Sequence, residues 1–421
     1  MLTHMIGLLT PERVRRYPMF LFAVTWGIYL GSVVRSNHWI EPGGEIVGRD
    51  YFQFYMAGDM INRGQLDHLY DFAAQEDYQK QFMERINPKW SGTCVYRYPP
   101  HYALAMSFLT TLGYGPSLMV WWTLSAACFV MTALVWRRWM GADSVGVPVL
   151  LAMCLPPWFL AFAGGQNTFF SLLILTAFCA LLMSGRDIWA GLVLSALALK
   201  FQLLIVPAGL LLFKRRWGAV IGLCVGGLVT LLVTAALLGP HAISDYLTFG
   251  ADLNRIAQIE QFDLHKQHSW HGFFALLGRG WMPGTTAWIL TAAVTVVSLA
   301  LLLSAWRGPW SRHGSRFALQ LSALMMATLL TSPHLAHYDM LIATLPAVLW
   351  LLAAKRADDP TPLQSFKILL AAGFIWLVIT PAVTSALPVQ LSPLLMLAWL
   401  ISVHRKTTHS PIPDYSYRAD R

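Results

Sequence analysis

Charged residues are scarce in this sequence. They make up 12% of its 421 residues, about half of the share that a soluble globular domain carries. Hydrophobic residues make up 56%, and apolar runs of membrane-spanning length recur from Phe20 to Val403. The scarcity of charge excludes a soluble enzyme with a small anchor. The sequence therefore predicts a single polytopic membrane domain over residues 1–421, with lipid as its main solvent.

Cysteine is also scarce, with five residues in the chain. Cys94 falls in a polar stretch, and the other four cysteines lie inside apolar segments. This distribution excludes a disulfide framework and a cysteine-based metal site. A small-residue cleavage site is missing after the first apolar run, Met19–Val34, so we interpret this run as a retained membrane helix and not as a signal peptide.

The basic residues lie in short clusters between the apolar runs. The formal net charge is +9, but clusters of this kind are typical of the cytoplasmic loops of membrane proteins and do not indicate nucleic-acid binding. Placing the clusters in the cytoplasm predicts about 12 crossings, with both termini inside. Ten of these are single spans: residues 18–34, 116–136, 145–163, 167–184, 217–238, 285–306, 316–332, 338–354, 365–382 and 388–403.

The other two crossings are assigned to the stretch between Arg186 and Lys214. Lys200 divides it into two apolar pieces that are too short for full spans, which predicts a hairpin of two short helices with Lys200 near the turn. Residues 35–115 and 239–284 then form two outer loops, and residues 404–421 form a cytoplasmic tail. Within the first outer loop, the segment 99–113 is predicted to be an interfacial or re-entrant helix.

The first outer loop contains a carboxylate next to a predicted helix. Asp50 precedes a helix over about 51–63, which Gly64 ends, so its side chain can serve as the helix N-cap. A carboxylate beside tyrosines at the membrane surface can also act as a general base, and the two roles are compatible. A second, amphipathic helix is predicted between Asp71 and Pro88, lying along the interface.

Several polar side chains elsewhere have both a structural and a functional interpretation. Arg97 precedes a helix that begins with prolines, where a substrate anion or an ordinary lipid headgroup would be stabilised. Gln166 and Asn167 follow two glycines and could simply form a turn. Lys200 is costly inside a membrane unless it is paired or reached by water, which favours a functional role over snorkelling to headgroups.

Histidines are concentrated in the second half of the chain. His265, His268 and His271 are spaced by three, but neither a carboxylate nor a cysteine completes a known zinc motif, so the pattern does not favour a metal site. The short segment Ser332–Asp339 places His334 and other polar groups between two predicted spans. These groups are either surface turn residues or part of a site.

Taken in chain order, these motifs resemble those of glycosyltransferase family 87. The similar segments are residues 48–55 with Gly64 and Tyr70, then 98–101, 165–167, 191–200, 268–272 and 332–339. Members of that family have the multi-spanning C-type glycosyltransferase fold and use polyprenyl-phosphate sugars, and some are mannosyltransferases. The resemblance therefore implies an all-α integral membrane bundle in the inner membrane, with interfacial helices in the first outer loop and an active site facing the periplasm or exterior.

The resemblance also implies an activity and a set of site residues. A mannose or another hexose would move, with inversion, from a polyprenyl phosphate to a lipid or glycan acceptor, with Asp50 as the catalytic base. Neither a cofactor nor a metal is implied, and the partners are the donor, the acceptor and membrane lipids, without nucleic acid. The residues implied for the donor phosphate are Lys200, Arg97, His334 and His337. Those expected in the substrate pocket are Tyr51, Tyr55, Gln166, Asn167, His268, Tyr338 and Asp339.

The sequence departs from the related C-type enzymes at one position. Those enzymes place a histidine or lysine before the paired prolines, and here Tyr98 stands there and the cation is Arg97.

Two other classes of protein stay open. A transporter or flippase of a lipid-linked saccharide would be favoured by inverted repeats, which are not evident, and a non-catalytic subunit would leave the outer polar residues without a shared purpose. The enzyme interpretation predicts that Asp50, Lys200 and at least one of His334 and His337 surround a single cavity.

Overall fold

The computed structural model describes residues 10–84, 94–251, 264–312, 314–357 and 363–409. Within these ranges the chain is helical and contains isolated β-bridges but no β-strand. Pro88, part of the second outer loop and most of the predicted tail lie outside the described residues. The helices are α1 Pro11–Val34, α2 Tyr51–Asn62, α3 Phe72–Glu84, α4 Pro100–Thr110, α5 Tyr114–Met140, α6 Ala142–Met153, α7 Pro156–Ala163, α8 Thr168–Met183, α9 Asp187–Ser195, α10 Phe201–Phe213, α11 Trp217–Leu238, α12 His241–Ala251, α13 Trp270–Leu277, α14 Gly284–Ala305, α15 Ser315–Leu330, α16 Thr344–Arg356, α17 Leu363–Ala386 and α18 Ser392–His409.

Many of these helices have the length and composition of membrane spans. Among the described residues, seven are long and apolar enough to cross a bilayer, or up to eight if one bent pair counts as a single span. That pair is α6 and α7, which are bent by 66° at a short break before Pro156. The predicted span 145–163 is therefore not one straight helix. The chain is a multi-pass membrane protein, and the total of about 12 crossings stays a prediction.

The segment from Asp187 to Phe213 is a hairpin. By length it could be one span of 27 residues, which as a straight helix would extend about 40 Å. However, Asp187 at its start forms an ion pair with Arg216, just beyond its end, so the chain must reverse in between. The reversal occurs at the 3₁₀ turn Ala196–Lys200. The predicted hairpin with Lys200 at its turn is thus confirmed, although arms of about 14 Å and 20 Å are too short for two full crossings.

Small residues allow the first arm of the hairpin to lie directly against α11. A Cβ atom on Gly222 would come within 2.0 Å of the Ile188 carbonyl oxygen, and one on Gly191 within 1.8 Å of the Ala219 carbonyl oxygen. One turn further along, Gly226 faces Ser195. Asp187 lies beside Gly218 and Ser195 lies beside Gly226, so the paired positions increase together and α9 and α11 run parallel. Their backbones approach this closely because the contact positions have no large side chain, as is common between membrane helices.

The first outer loop folds much as its sequence predicts, except at Asp50. Helix α2 begins at Tyr51, and Gly64 follows its end with φ +71°, the left-handed conformation expected of a helix stop. The Asp71 carboxylate accepts the Ala73 amide hydrogen at 2.9 Å and caps α3. The Asp50 side chain, by contrast, makes no capping hydrogen bond. The prediction that the Asp50 side chain caps α2 is therefore wrong, and its carboxylate is available for another role.

Candidate functional site

The start of α2 is bound to the turn that joins α7 and α8. The Tyr51 amide donates a hydrogen bond to the Gly164 carbonyl oxygen at 2.9 Å. A Cβ atom on Gly164 would lie 2.8 Å from Asp50 Oδ2, and Gly165 adopts φ +70°. The two glycines therefore let the turn pass directly beside the Asp50 carboxylate. The Gln166 side chain then hydrogen-bonds to that carboxylate.

The environment of Asp50 makes its carboxylate more basic than an ordinary aspartate. Burial raises the pKa of Asp50 above its usual value, because the ionised form loses hydration. The Gln166 hydrogen bond and the nearby cations Arg49, Lys266 and Lys200 lower that pKa in turn, but burial is the largest effect. A carboxylate with a raised pKa, beside cations, is suited to accept a proton in a reaction.

Lys200 is paired with a carboxylate inside the protein. Its Nζ lies 2.5 Å from Asp339 Oδ1, and their side chains are only 3% and 5% exposed. The same oxygen of Asp339 accepts the hydroxyl hydrogen of Thr168 at 2.7 Å. Lys200 also lies over the Tyr338 ring, at 5.5 Å from its centroid. Asp339 therefore neutralises Lys200, the cation that was expected to bind the donor phosphate.

Tyr98 lies near both carboxylates and near Arg97. Asp339 and Asp50 both add to burial in raising the pKa of the Tyr98 hydroxyl, and Arg97 lowers it. Both carboxylates and the guanidinium are therefore close to Tyr98. This tyrosine stands at the position where the sequence departs from the related C-type enzymes.

The two candidate histidines of the 332–339 segment have different surroundings. Burial lowers the pKa of His334 to about 3, with further contributions from Arg97 and Lys200, so this imidazole lies among the cations and stays neutral. His337 is buried and its Nδ1 lies 3.0 Å from Nε2 of His268, whose Nδ1 lies 2.6 Å from the Ser392 hydroxyl. His334, rather than His337, therefore shares the neighbourhood of Arg97 and Lys200.

The histidines spaced by three do not converge on one point. His268 contacts His337 and Ser392, whereas the His271 ring stacks on Trp288 with 3.7 Å between the ring centroids. Across the described segments, His, Cys, Asp and Glu side chains do not form any group of three that could hold a metal ion.

Buried polar atoms without partners surround the turn beside Asp50. Among the described residues, Gln166 Oε1, both polar atoms of the Asn167 side chain and the Tyr102 hydroxyl have no hydrogen-bond partner. Asn167 is fully buried, and Gln166 and Tyr102 are 1% and 7% exposed. Asn167 lies beside Tyr98 and Tyr102. Unsatisfied buried polar groups are costly, and a polar ligand between them would remove that cost.

Two tyrosines of the predicted pocket lie in the aromatic core instead. Tyr55 packs against Phe82 and Tyr114, with ring centroids 5.9 Å and 5.2 Å away. Tyr51 packs against Trp121 at 5.9 Å. Both tyrosines therefore anchor α2 to the aromatic core.

Three residues of this neighbourhood were not identified from the sequence. Lys266 lies near Asp50, Thr168 bonds to Asp339, and Tyr102 lies beside Asn167. Thr168 and Tyr102 directly follow motif residues, at positions 167 and 101, which is a signal that could have been used. Lys266 reaches the site because the adjacent Gln267 pairs with Ala336 in an isolated bridge, a contact that local sequence does not reveal.

Comparison with known proteins identifies the family. No curated protein and no solved structure is significantly similar to the chain. The family model of glycosyltransferase family 87 matches residues 96–333, more than half of the chain. The match covers Arg97, the turn at Gln166 and the hairpin with Lys200, whereas Asp50 and the histidines after Pro333 lie outside it. The all-helical membrane fold and this match show that the chain belongs to glycosyltransferase family 87.

Proposed function

We propose that this protein transfers a hexose from a polyprenyl phosphate to a hydroxyl group of a lipid or glycan acceptor, on the outer face of the inner membrane. The observation that carries the proposal is the meeting of the partly exposed Asp50 carboxylate with Arg97, His334 and the buried Lys200–Asp339 pair. The site thus combines a basic carboxylate with cations and a neutral imidazole. A proton acceptor next to a phosphate-binding region is what such a transfer requires.

The proposed reaction is a single displacement. The acceptor oxygen forms a bond to the anomeric carbon while the bond from that carbon to the phosphate oxygen breaks, and Asp50 takes the hydroxyl proton. The phosphate leaves with the polyprenyl chain and both electrons of the broken bond. Attack from the face opposite the leaving group inverts the anomeric configuration. Because side-chain cations can balance a monophosphate, the proposal requires no metal ion.

The geometry refines which residues would bind the donor phosphate. Asp339 already balances Lys200, and the other cations of the site are Arg49 and Lys266 near Asp50 and Arg97 near Tyr98. We assign Arg97 and Lys266 to the phosphate, and Lys200 to holding Asp339 in place. A neutral His334 can donate one N–H to a phosphate oxygen but does not contribute charge.

The partnerless polar atoms beside Asp50 support recognition of a polyhydroxylated ligand. The Gln166 side-chain oxygen offers an acceptor, the Asn167 amide offers donors and an acceptor, and the Tyr102 hydroxyl offers one of each. A hexose presents several hydroxyl groups that can fill both kinds of position. Tyr98, half-buried next to Asn167, provides an aromatic face beside them.

The decisive experiment replaces Asp50 by asparagine, which keeps the shape of the side chain but cannot accept the proton. Purified variant and wild type are assayed in nanodiscs with a polyprenyl-phosphate hexose and a lipid acceptor extract. Loss of a positioned general base lowers turnover by about 10²- to 10⁴-fold. The control is Asp71→Asn, a carboxylate of the same loop whose amide can still cap α3. Wild-type turnover in a folded Asp50→Asn protein would refute the base.

The proposed side of the membrane has a separate test. Gln65, an exposed residue shortly after α2 in the first outer loop, is replaced by cysteine and labelled in intact cells with a membrane-impermeant maleimide. Labelling from outside is expected, because the cytoplasmic placement of the basic clusters puts residues 35–115 outside. Labelling that occurs only after the inner membrane is opened would reverse both the topology and the side of the reaction.

A further inference from the structure

A second charged cluster lies at the base of the hairpin, at the other end of its arms from Lys200. Its cations come from three separate segments: the loop between α10 and α11, the loop after α14 and the first turn of α15. All are partly buried, and two of them bind the same carboxylate. The cluster, here called the basal cluster, consists of Lys214, Arg216, Arg312, Arg316 and Asp187.

Asp187 balances only part of this charge. Its Oδ2 atom accepts hydrogen bonds from Nη2 of both Arg216 and Arg312, the latter at 3.0 Å. The basal cluster thus contains four cations and one carboxylate, which is three more positive than negative charges.

The other two cations bind backbone carbonyl groups, which do not neutralise them. Lys214 Nζ donates to the carbonyl oxygens of Trp306 and Gly308 at 3.0 Å and 2.7 Å, and Arg316 Nη2 donates to that of Arg307 at 3.1 Å. Burial, together with the charge of Arg316, lowers the pKa of Lys214. These two cations therefore repel each other at close range.

The basal cluster has more buried donors than acceptors. In the described part of the chain, the Nε atoms of Arg216, Arg312 and Arg316 and the indole N–H of Trp310 are buried without an acceptor, and Asp187 Oδ1 is the single carboxylate oxygen there without a donor. The Arg216 guanidinium also lies over the Trp310 ring, 4.9 Å from its centroid. Because unsatisfied buried donors are costly, the arrangement is suited to a group with several anionic oxygen atoms.

We propose that the basal cluster binds the phosphate group of an anionic phospholipid. Arginine side chains bind phosphate oxygens through paired N–H groups, which matches the donors left unsatisfied. The membrane-facing side of α11 begins directly beside Arg216 and exposes Trp217 and Ile221, which are 58% and 56% exposed. An acyl chain can lie along these side chains while the headgroup occupies the cluster. Basic pockets between membrane helices bind lipid headgroups in this way.

The test uses the full-length protein in nanodiscs of phosphatidylcholine, with and without phosphatidylglycerol. Thermal unfolding is followed, and the lipids retained by the protein are counted by native mass spectrometry. The test variant is Arg316→Gln, which leaves the Asp187 ion pairs in place. The control is Arg138→Gln, which removes an exposed arginine at the end of α5 and changes the net charge equally. We expect Arg316→Gln to weaken retention of phosphatidylglycerol about fivefold and Arg138→Gln to leave it unchanged.

A second arm separates a lipid from a free anion. Inorganic phosphate is added to the protein in phosphatidylcholine nanodiscs. Stabilisation by phosphatidylglycerol alone supports the lipid site, and it should fall in Arg316→Gln. Stabilisation by inorganic phosphate to the same extent assigns the cluster to soluble phosphates and overturns the lipid. Equal retention of phosphatidylglycerol by wild type, Arg316→Gln and Arg138→Gln, all folded, overturns the site itself. None of these outcomes depends on the sugar-transfer reaction.

Discussion

Removing either partner of the Lys200–Asp339 pair is expected to destabilise the folded protein. Their contact at 2.5 Å, with 3% and 5% of the side chains exposed, excludes water from the pair. Removing one partner of a buried pair leaves an uncompensated charge, which costs about 3–5 kcal/mol of folding free energy. In Lys200→Met, the Thr168 hydroxyl still donates to Asp339, but one neutral hydrogen bond does not replace the ammonium group. We expect Lys200→Met and Asp339→Asn each to lose stability of that order.

The double variant tests whether the effect belongs to the pair. Lys200→Met with Asp339→Asn has neither charge, so it should recover at least about 2 kcal/mol relative to the sum of the single variants. The assay is unfolding in detergent micelles followed by tryptophan fluorescence, with all four proteins measured side by side. Strictly additive losses would refute the pair. A double variant that regains stability without regaining sugar transfer would show that Lys200 or Asp339 also contacts the substrate.

Three further predictions follow from the site and the hairpin. Burial raises the pKa of Asp50 and Gln166 lowers it. Because the base is active only when deprotonated, kcat/KM should fall with decreasing pH through a pKa above that of ordinary aspartate. Gln166→Leu should move this fall in kcat/KM to higher pH. Because His334, with a pKa of about 3, is neutral above pH 5, His334→Gln should retain far more turnover than His334→Phe, and equal loss would contradict a neutral donor. Gly222→Ala should destabilise by about 1–3 kcal/mol, because its Cβ would come within 2.0 Å of a carbonyl oxygen, whereas Gly227→Ala on the open side of the same helix should not; similar unfolding of the two variants would contradict the parallel packing.

The sequence was sufficient to predict features that depend on local chemistry. Hydropathy and the position of Lys200 predicted a hairpin with the lysine at its turn, and the ion pair between Asp187 and Arg216 confirms it. Gly64 and Asp71 were predicted as helix boundaries, and both act as such. In each case a turn or a cap depends on a few adjacent residues. Such turns and caps can therefore be predicted from the local sequence.

Other features depend on residues that are distant in the chain. Asp339 was predicted in the pocket, but its pairing with Lys200, across 139 positions, follows from how the hairpin turn meets the segment before α16. The approach of Lys266 to Asp50 depends on a bridge between two loops. The cap predicted for Asp50 failed for a local reason: Asp50 itself has helical dihedral angles, and the Gly48 carbonyl oxygen already accepts the Tyr51 and Phe52 amide hydrogens.

The contacts of the hairpin also favour an enzyme over a transporter. Alternating access requires one group of helices to move against another around the binding site. Here the first arm lies against α11 at a distance that excludes even a Cβ atom, and the turn is joined to the segment before α16 through the Lys200–Asp339 pair. Moving the turn away from Asp339 would expose or separate two buried charges, at a cost of about 3–5 kcal/mol. A transferase gains from the same rigidity, because it keeps the base and the phosphate-binding groups at a constant distance while the donor and the acceptor meet.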